Sequence, residues 1–231
     1  DVVGLERRPV THLTVPYDLC DLTQARKTRD AILSHRPEVI FHAAAMTDVD
    51  RCEEHHDEAL QGNVIATENV IAAANEIDAP VIFYSTDYVF DGTKQGPYEE
   101  DDKPNPLSFY GKTKRMGEEC ILHVAKRALI FRITWLFGTW GRCFPKSILR
   151  QAAEVKEMKV VSDQTGSPTW SWDIACAMRE LLLKNKEKVF APGHEIYHLH
   201  NAGSVNWADD ARFILKGSGL GSIKITDIAT G

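Results

Sequence analysis

Two textures alternate along the chain. Short, continuous apolar runs bounded by polar or turn residues predict buried strands, and longer stretches with apolar residues every three to four positions predict helices. Val2–Leu5 reads as a first strand. Asp21-Leu22-Thr23 then opens a helix running to about His35, with Thr23 as its cap and Ala31, Ile32 and Leu33 as its apolar stripe. Glu38–Ala45 (EVIFHAAA) is a continuous strand, Glu58 to about Ile77 one long amphipathic helix, and Pro80–Ser85 (PVIFYS) another strand. A loop rich in Gly, Pro and Asp fills 91–107. A helix follows from about Ser108 to Ala125, then the strand Ala128–Thr134 (ALIFRIT). Strand and helix in this cadence imply parallel strands joined by crossovers, hence a doubly wound α/β fold. Ligands in such a fold bind at the carboxyl ends of the strands. That matters because Ala-Ala-Ala ends one predicted strand and Ser-Thr-Asp ends another.

Beyond about residue 139 the rhythm loosens. Helices near Phe144–Val155, Trp172–Asn185 and Trp207–Lys216, with strands near Lys159–Ser162 and Glu195–His200, suggest a smaller α/β lobe. The expected division is 1–139 for a nucleotide-binding domain and 140–231 for a mainly substrate-binding lobe, with a return of later segments to the first sheet left open. No internal repeat or low-complexity tract is visible.

Composition narrows the classes. The 231 residues carry a formal net charge of −6, and their basic residues do not cluster, which disfavours a nucleic-acid or anionic membrane surface. The longest apolar runs, such as Val81–Tyr84 and Ala128–Phe131, are far too short to span a bilayer. No signal peptide is recognised. The five cysteines are scattered, odd in number and form no CxxC, which fits a reducing, cytoplasmic compartment. His194, His198 and His200 lack a carboxylate or Cys to complete a metal set and read as structural, as do His55 and His56 at an exposed helix start.

The candidate chemistry lies in Y-G-K-T-K, 110 to 114, shortly after S-T-D-Y-V-F-D-G, 85 to 92. Tyr110 and Lys114 are four apart and so share one helix face. An ammonium there would lower a phenol that starts near about 10 and stabilise the tyrosinate. With a dinucleotide ribose between the two groups relaying a proton, the phenol suits a general acid for a carbonyl that accepts hydride. Thr86 or Ser85 at the preceding strand end would hold the same carbonyl oxygen. Taken alone, YxxxK is a common surface pair; the strand-end hydroxyls and the α/β setting give it meaning.

With those residues the chain resembles the extended short-chain dehydrogenase/reductases, which have a Rossmann fold, and within them the dTDP-4-dehydrorhamnose reductase family. The matching segments include D-L-T (Asp21–Thr23), R-P-E-V-I-F-H-A-A-A-M-T-D-V-D (Arg36–Asp50), N-V-I-A-T-E-N (Asn63–Asn69), S-T-D-Y-V-F-D-G-T (Ser85–Thr93), R-I-T-W-L-F-G (Arg132–Gly138) and D-Q-T-G-S-P-T (Asp163–Thr169). The resemblance implies NADP(H)- or NAD(H)-dependent reduction of a nucleotide-linked 4-keto-6-deoxy sugar, and it leaves Mg2+ and a homodimer open. It implies Thr86, Tyr110 and Lys114 as the catalytic triad. It places Asp21 and Leu22 at the adenine, Ala43, Ala44 and Ala45 against the cofactor with Ser85, and Asn63 on a helix position supporting that site. Thr47, Val49, Asp87, Tyr88 and Trp135 match positions near the sugar.

Tyr88 also separates subclasses. The related nucleotide-sugar dehydratases carry a Glu there, so simple reduction is favoured. The glycine-rich turn of the first Rossmann strand is not found; in the family it lies upstream of the strand at Val2, so either the start is missing or dinucleotide binding is weak. G-S-G-L-G (Gly217–Gly221) follows a helix instead of a strand and reads as a helix-ending loop. Met46 stands where the family usually has Tyr, and G-R-C-F (Gly141–Phe144) where it has an Asn-Phe pair. Glu6 would bind ribose hydroxyls and favour NAD, whereas Arg7 and Arg8 would accept a 2′-phosphate and favour NADP; a solvated charged loop weighs equally. Two other readings remain: a non-catalytic regulator resembling the methionine adenosyltransferase beta subunit, and another sugar-nucleotide reductase or epimerase.

Overall fold

The computed structural model describes residues 1–10 and 14–230. In chain order its elements are β1 (Gly4–Glu6), β2 (Tyr17–Leu19), α1 (Ala25–His35), β3 (Ile40–His42), α2 (Val49–Glu54) and α3 (His56–Leu60). A π-helical turn (Gln61–Ile65) leads into α4 (Ala66–Glu76), then come β4 (Val81–Thr86), a 3-10 turn (Asp87–Val89), α5 (Phe109–Val124) and β5 (Arg127–Ile133). Next are β6 (Leu136–Phe137), α6 (Phe144–Ala152), β7 (Glu157–Val161), β8 (Thr165–Gly166), β9 (Thr169–Trp170) and α7 (Ser171–Lys184). The last are α8 (Lys186–Phe190), β10 (Gly193–His198), β11 (Val205–Asn206), α9 (Trp207–Gly217) and β12 (Lys224–Ile228).

Contacts divide the chain into two compact units. The first holds Asp1–Arg132 and Asn185–His198; the second holds Ile133–Lys184 and Leu199–Gly231. The first unit contains a four-stranded sheet in the order β10-β5-β4-β3. Its β10–β5 and β4–β3 pairings are parallel. β1 and β2 form a separate parallel pair. Both strand groups are covered by helices. Ile71 and Ala74 of α4 and Ile121 of α5 pack against Val81, Phe83, Ala128 and Ile130. Leu5 of β1 and Ile40 of β3 both reach the cluster of Ile32, Val70 and Ala73. β4 is buried along almost its whole length, which explains why it reads as a continuous apolar run.

The second unit is built on shorter pairs. β7 and β12 run parallel, as do β6 and β9, while β8 and β11 are antiparallel. Ile148 and Ala152 of α6, with Ala208, Ala211 and Leu215 of α9, close over Met158 and Val160. This is α/β architecture with parallel sheets, as the alternation of textures implied.

Some boundaries differ from expectation for definable reasons. Thr23 caps nothing: its N–H and hydroxyl both donate to Asp21 Oδ1, at 3.0 and 2.8 Å, and helix α1 starts only at Ala25. That local turn competes with the helix for Thr23. The expected long helix from Glu58 is split by the π-helical turn, because five residues there absorb one extra position without breaking the apolar stripe. Ser108, by contrast, caps α5, accepting from Gly111 N at 3.1 Å. The short elements β2, α2 and β12 have too few apolar positions to show a period.

Candidate active site

The site is assembled on α5 and the end of β4. Buried positions on α5 are Tyr110, Gly111, Thr113, Lys114, Gly117, Glu118 and Ile121, one stripe of a 3.6-residue period. Two glycines let this stripe approach its neighbours. A Cβ on Gly111 would collide with the Tyr88 carbonyl oxygen and lie 3.1 Å from Pro106 Cβ. One on Gly117 would lie 3.2 Å from both Asn63 O and Phe83 Cζ. The first close approach seats Tyr110 beside the 3-10 turn that follows β4. The Tyr110 phenol lies near the Thr86 hydroxyl. Thr86 Oγ1 also accepts from Tyr88 N at 3.2 Å and donates to Asp87 Oδ1 at 3.1 Å. The Tyr88 ring meets Tyr110 edge-on, with centroids 5.7 Å apart.

Lys114 lies one turn further along α5 and is 2% exposed. Its ammonium donates to the Tyr84 carbonyl at 2.7 Å and sits 4.0 Å above the Phe83 ring. Burial lowers it to about 7, against the opposing charge of Glu118. The phenol does not behave as the spacing alone suggested. Burial pushes Tyr110 well above the ordinary phenol range, and the neighbouring Thr86 hydroxyl only partly offsets this. A group withdrawn from water resists charging more strongly than a cation one turn away can reverse. At neutral pH Tyr110 therefore holds its proton.

Asn63 and Val49 build the wall beside the pair. The Asn63 side chain is bound to both Met46 backbone groups and donates to Thr113 Oγ1 at 2.9 Å. Val49 packs with Cys52, Ala59 and Tyr110. Ala43 and Ala44 are exposed and Ala45 half-buried where the chain leaves the carboxyl end of β3; Thr47, just beyond, is exposed. Ser85 is buried beside Thr86. The structure thus gathers Ser85, Thr86, Asp87, Tyr88, Tyr110 and Lys114, with Asn63 and Val49 supporting them, at the edge where β4 ends.

Glu6, Arg7, Asp21 and Leu22 belong to the β1–β2 part of the same unit. Glu6 is half-buried at the end of β1, and Arg7 and Arg8 are exposed. The Asp21 carboxyl is held below its usual range by the Thr23 hydrogen bonds, so it is occupied locally. Leu22 packs under α1 and its carbonyl accepts from Asn69 Nδ2 at 2.8 Å, which ties this corner to α4.

Trp135 lies in the second unit with its own neighbours. Its φ of 43° is rare for a bulky residue. The conformation is held by Thr169 N donating to its carbonyl at 3.1 Å and by stacking on Trp207, with ring centroids 3.3 Å apart. Trp135, Phe144, Trp207 and Asp210 line a cavity of about 750 Å3. Burial pushes the Asp210 carboxyl up. Among the described residues no group of three or more His, Cys, Asp or Glu is placed to hold a metal ion.

Glu118 was not singled out in the sequence, although Tyr-x3-Lys-x3-Glu places it on the same face. Gly111 carries no signal of its own in the sequence; the Tyr88 carbonyl against it is a feature of the fold.

A buried Tyr–Lys pair with a strand-end Thr, on a parallel α/β sheet, defines the class of short-chain dehydrogenase/reductase-like proteins. The sequence matches the family described as RmlD substrate binding domain over residues 2–230, and the chain belongs to that family. It is 36% identical over 202 residues to the spore coat polysaccharide biosynthesis protein SpsK of Bacillus subtilis (strain 168), covering 87% of this chain and 69% of that protein. It is 36% identical over 200 residues to the dTDP-4-dehydrorhamnose reductase of Escherichia coli (strain K12), covering 86% and 66%. Among solved structures, the dTDP-4-dehydrorhamnose reductase from Bacillus anthracis str. Ames in complex with NADP superposes with a TM-score of 0.85 at 30% identity, covering 94% of this chain and 76% of that one. The chain spans about two thirds of the length of these curated relatives.

Proposed function

We propose that the chain carries the catalytic site of an NAD(P)H-dependent reductase acting on a nucleotide-linked 4-keto-6-deoxy sugar, converting dTDP-4-dehydrorhamnose to the dTDP-rhamnose type of product. The observation that carries this reading is the buried Tyr110 phenol beside strand-end Thr86, with buried Lys114 one turn away, in a chain of the RmlD family. The site suits a nicotinamide dinucleotide. Exposed Ala43 and Ala44 offer no bulk at the carboxyl end of β3. The Tyr84 carbonyl takes one of the three donors on Lys114, and the others match the hydroxyls of a ribose.

When bound, the reduced nicotinamide supplies hydride. Thr86 and Tyr110 hold the substrate carbonyl oxygen through their hydroxyls, and Tyr110 gives that oxygen its phenolic proton. The phenol is loaded with its proton at neutral pH because it is buried. Lys114 stabilises the phenolate left behind and orients the ribose. Tyr88, standing where a dehydratase would need a carboxylate, provides no second acid/base group. Asp87, Thr47, Val49 and Trp135 are the residues we assign to the sugar. The five cysteines, all free, are compatible with action in the cytoplasm. Among the described residues no helix is long and apolar enough to cross a membrane.

The test is NADPH and NADH consumption by the full-length protein against a panel of nucleotide keto sugars. Consumption with the dTDP-linked 4-keto-6-deoxy sugar, giving the 4-hydroxy product, is expected. No turnover with any member of the panel would sink the reading and favour a regulatory role.

A further inference from the structure

Tyr110, Lys114 and Glu118 recur every four residues on one buried face of α5, and their exposures are 9%, 2% and 0%. A carboxylate does not rest in such a place without strong partners. We propose that Glu118 is a positioning residue for this site: its carboxylate, fixed from β5 by Arg132, is the counter-charge that favours the ammonium form of Lys114, one turn from Tyr110 on the same buried face of α5. This rests on the reductase reading above and deepens it.

The clamp is bidentate. Arg132 donates from Nε to Oε1 and from Nη2 to Oε2 of Glu118, both at 2.9 Å. Arg132 is itself 3% exposed; its Nη1 donates to the Glu100 carbonyl at 3.3 Å, and its guanidinium lies 5.0 Å above the Phe90 ring. Arg115 adds a bond to Oε2 at 3.0 Å. Burial pushes the Glu118 carboxyl up, but these arginines more than offset it and hold the group below its usual range. Glu118 is therefore a fixed negative charge.

Lys114 needs such a charge. Around it are the Tyr84 carbonyl and Phe83 ring from β4, and His42 from β3. His42 is buried and neutral at pH 7, being lowered to about 3, with Nε2 bonded to Thr67 Oγ1 at 3.0 Å. Tyr110 holds its proton, and the Tyr84 phenol is pushed up to about 12 by burial. Asp87 faces Tyr110 and bonds Thr86. The Glu118 charge acts on Lys114 upward, against burial. Burial lowers Lys114 and Glu118 opposes that, so loss of Glu118 shifts Lys114 further towards the amine. A neutral amine stabilises a phenolate poorly. An ion pair that only joined α5 to β5 would leave the titration of Lys114 unmoved.

The experiment titrates Lys114 directly, in protein labelled with 13C at lysine Cε, without cofactor or substrate. The resonance is identified by its loss in Lys114→Arg. Glu118→Gln is expected to lower the ammonium-to-amine ratio of Lys114 at pH 7 by roughly tenfold, and Glu118→Asp to restore much of it. Because Glu118→Gln strands a buried guanidinium, the double variant Glu118→Gln/Arg132→Met is titrated beside it, with the same direction expected. The alkaline limb of kcat/KM should move to lower pH in step. An unchanged Lys114 titration in the variants that fold would overturn the proposal. Absence of turnover in the unmodified protein would instead count against the reductase reading, since the titration needs no catalysis.

Discussion

The Asn63 carboxamide grips Met46 by both of its backbone groups: Oδ1 accepts from Met46 N at 2.7 Å, and Nδ2 donates to Met46 O at 3.1 Å. It thereby fixes the segment between Ala45 and Thr47 while also bonding Thr113 on α5. Replacing Asn63 by Ala leaves these groups short of partners in a buried place. We expect a loss of about 2 kcal/mol in stability, seen as a lower denaturant midpoint. Cofactor affinity should fall with it, because the alanines at the end of β3 lose their anchor. Unaltered midpoint and affinity would show that Met46 is held by other means.

Gly111 faces the Tyr88 carbonyl with no room for a methyl group. Gly111→Ala must shift the start of α5 or the 3-10 turn, and either movement separates Tyr110 from Thr86. The predicted outcome is a fall in kcat of about tenfold or more, larger than the change in KM, since a displaced general acid affects the transition state most. Steady-state kinetics on the variant check this.

His42 is lowered from 6.5 to about 3 by burial, with the Lys114 charge adding to the effect. As pH falls through 6.5, the unfolded chain gains a proton there that the folded chain refuses. Stability is therefore whole above this pH and declines between 6.5 and about 3. His42→Gln should flatten that decline in urea titrations at pH 7, 6 and 5. An equally steep decline in the variant would assign it to other groups.

In the second unit a Cβ on Gly166 would run into the Trp135 indole, which is stacked on Trp207. Gly166→Ala should change the tryptophan fluorescence and raise the KM for the sugar nucleotide, with a smaller effect on kcat. If fluorescence changes and KM does not, Trp135 is structural and our substrate assignment for it fails.

How much of this was legible beforehand depends on the kind of signal. Continuous apolar runs such as PVIFYS marked the buried parallel strands, and Ser108 with the Tyr110–Lys114 spacing marked a helix and its reactive face. The direction of the phenol shift was not legible. Spacing shows that a cation is near, but only the packing of Cys52, Ala59 and Val49 on Tyr110 shows that burial wins. The π-helical turn at 61–65 was hidden because its apolar residues keep an unbroken stripe, and the role of Gly111 because a carbonyl 23 positions earlier supplies the constraint.

The central claim is that the Tyr110 phenol delivers the proton. Single-turnover oxidation of bound NADPH by the dTDP-linked keto sugar, measured in parallel for the unmodified protein and Tyr110→Phe, tests it most directly. The account predicts a loss of roughly 100-fold or more in the hydride-transfer rate, with cofactor affinity and thermal stability little changed. A Tyr110→Phe variant that retained most of the rate would contradict it.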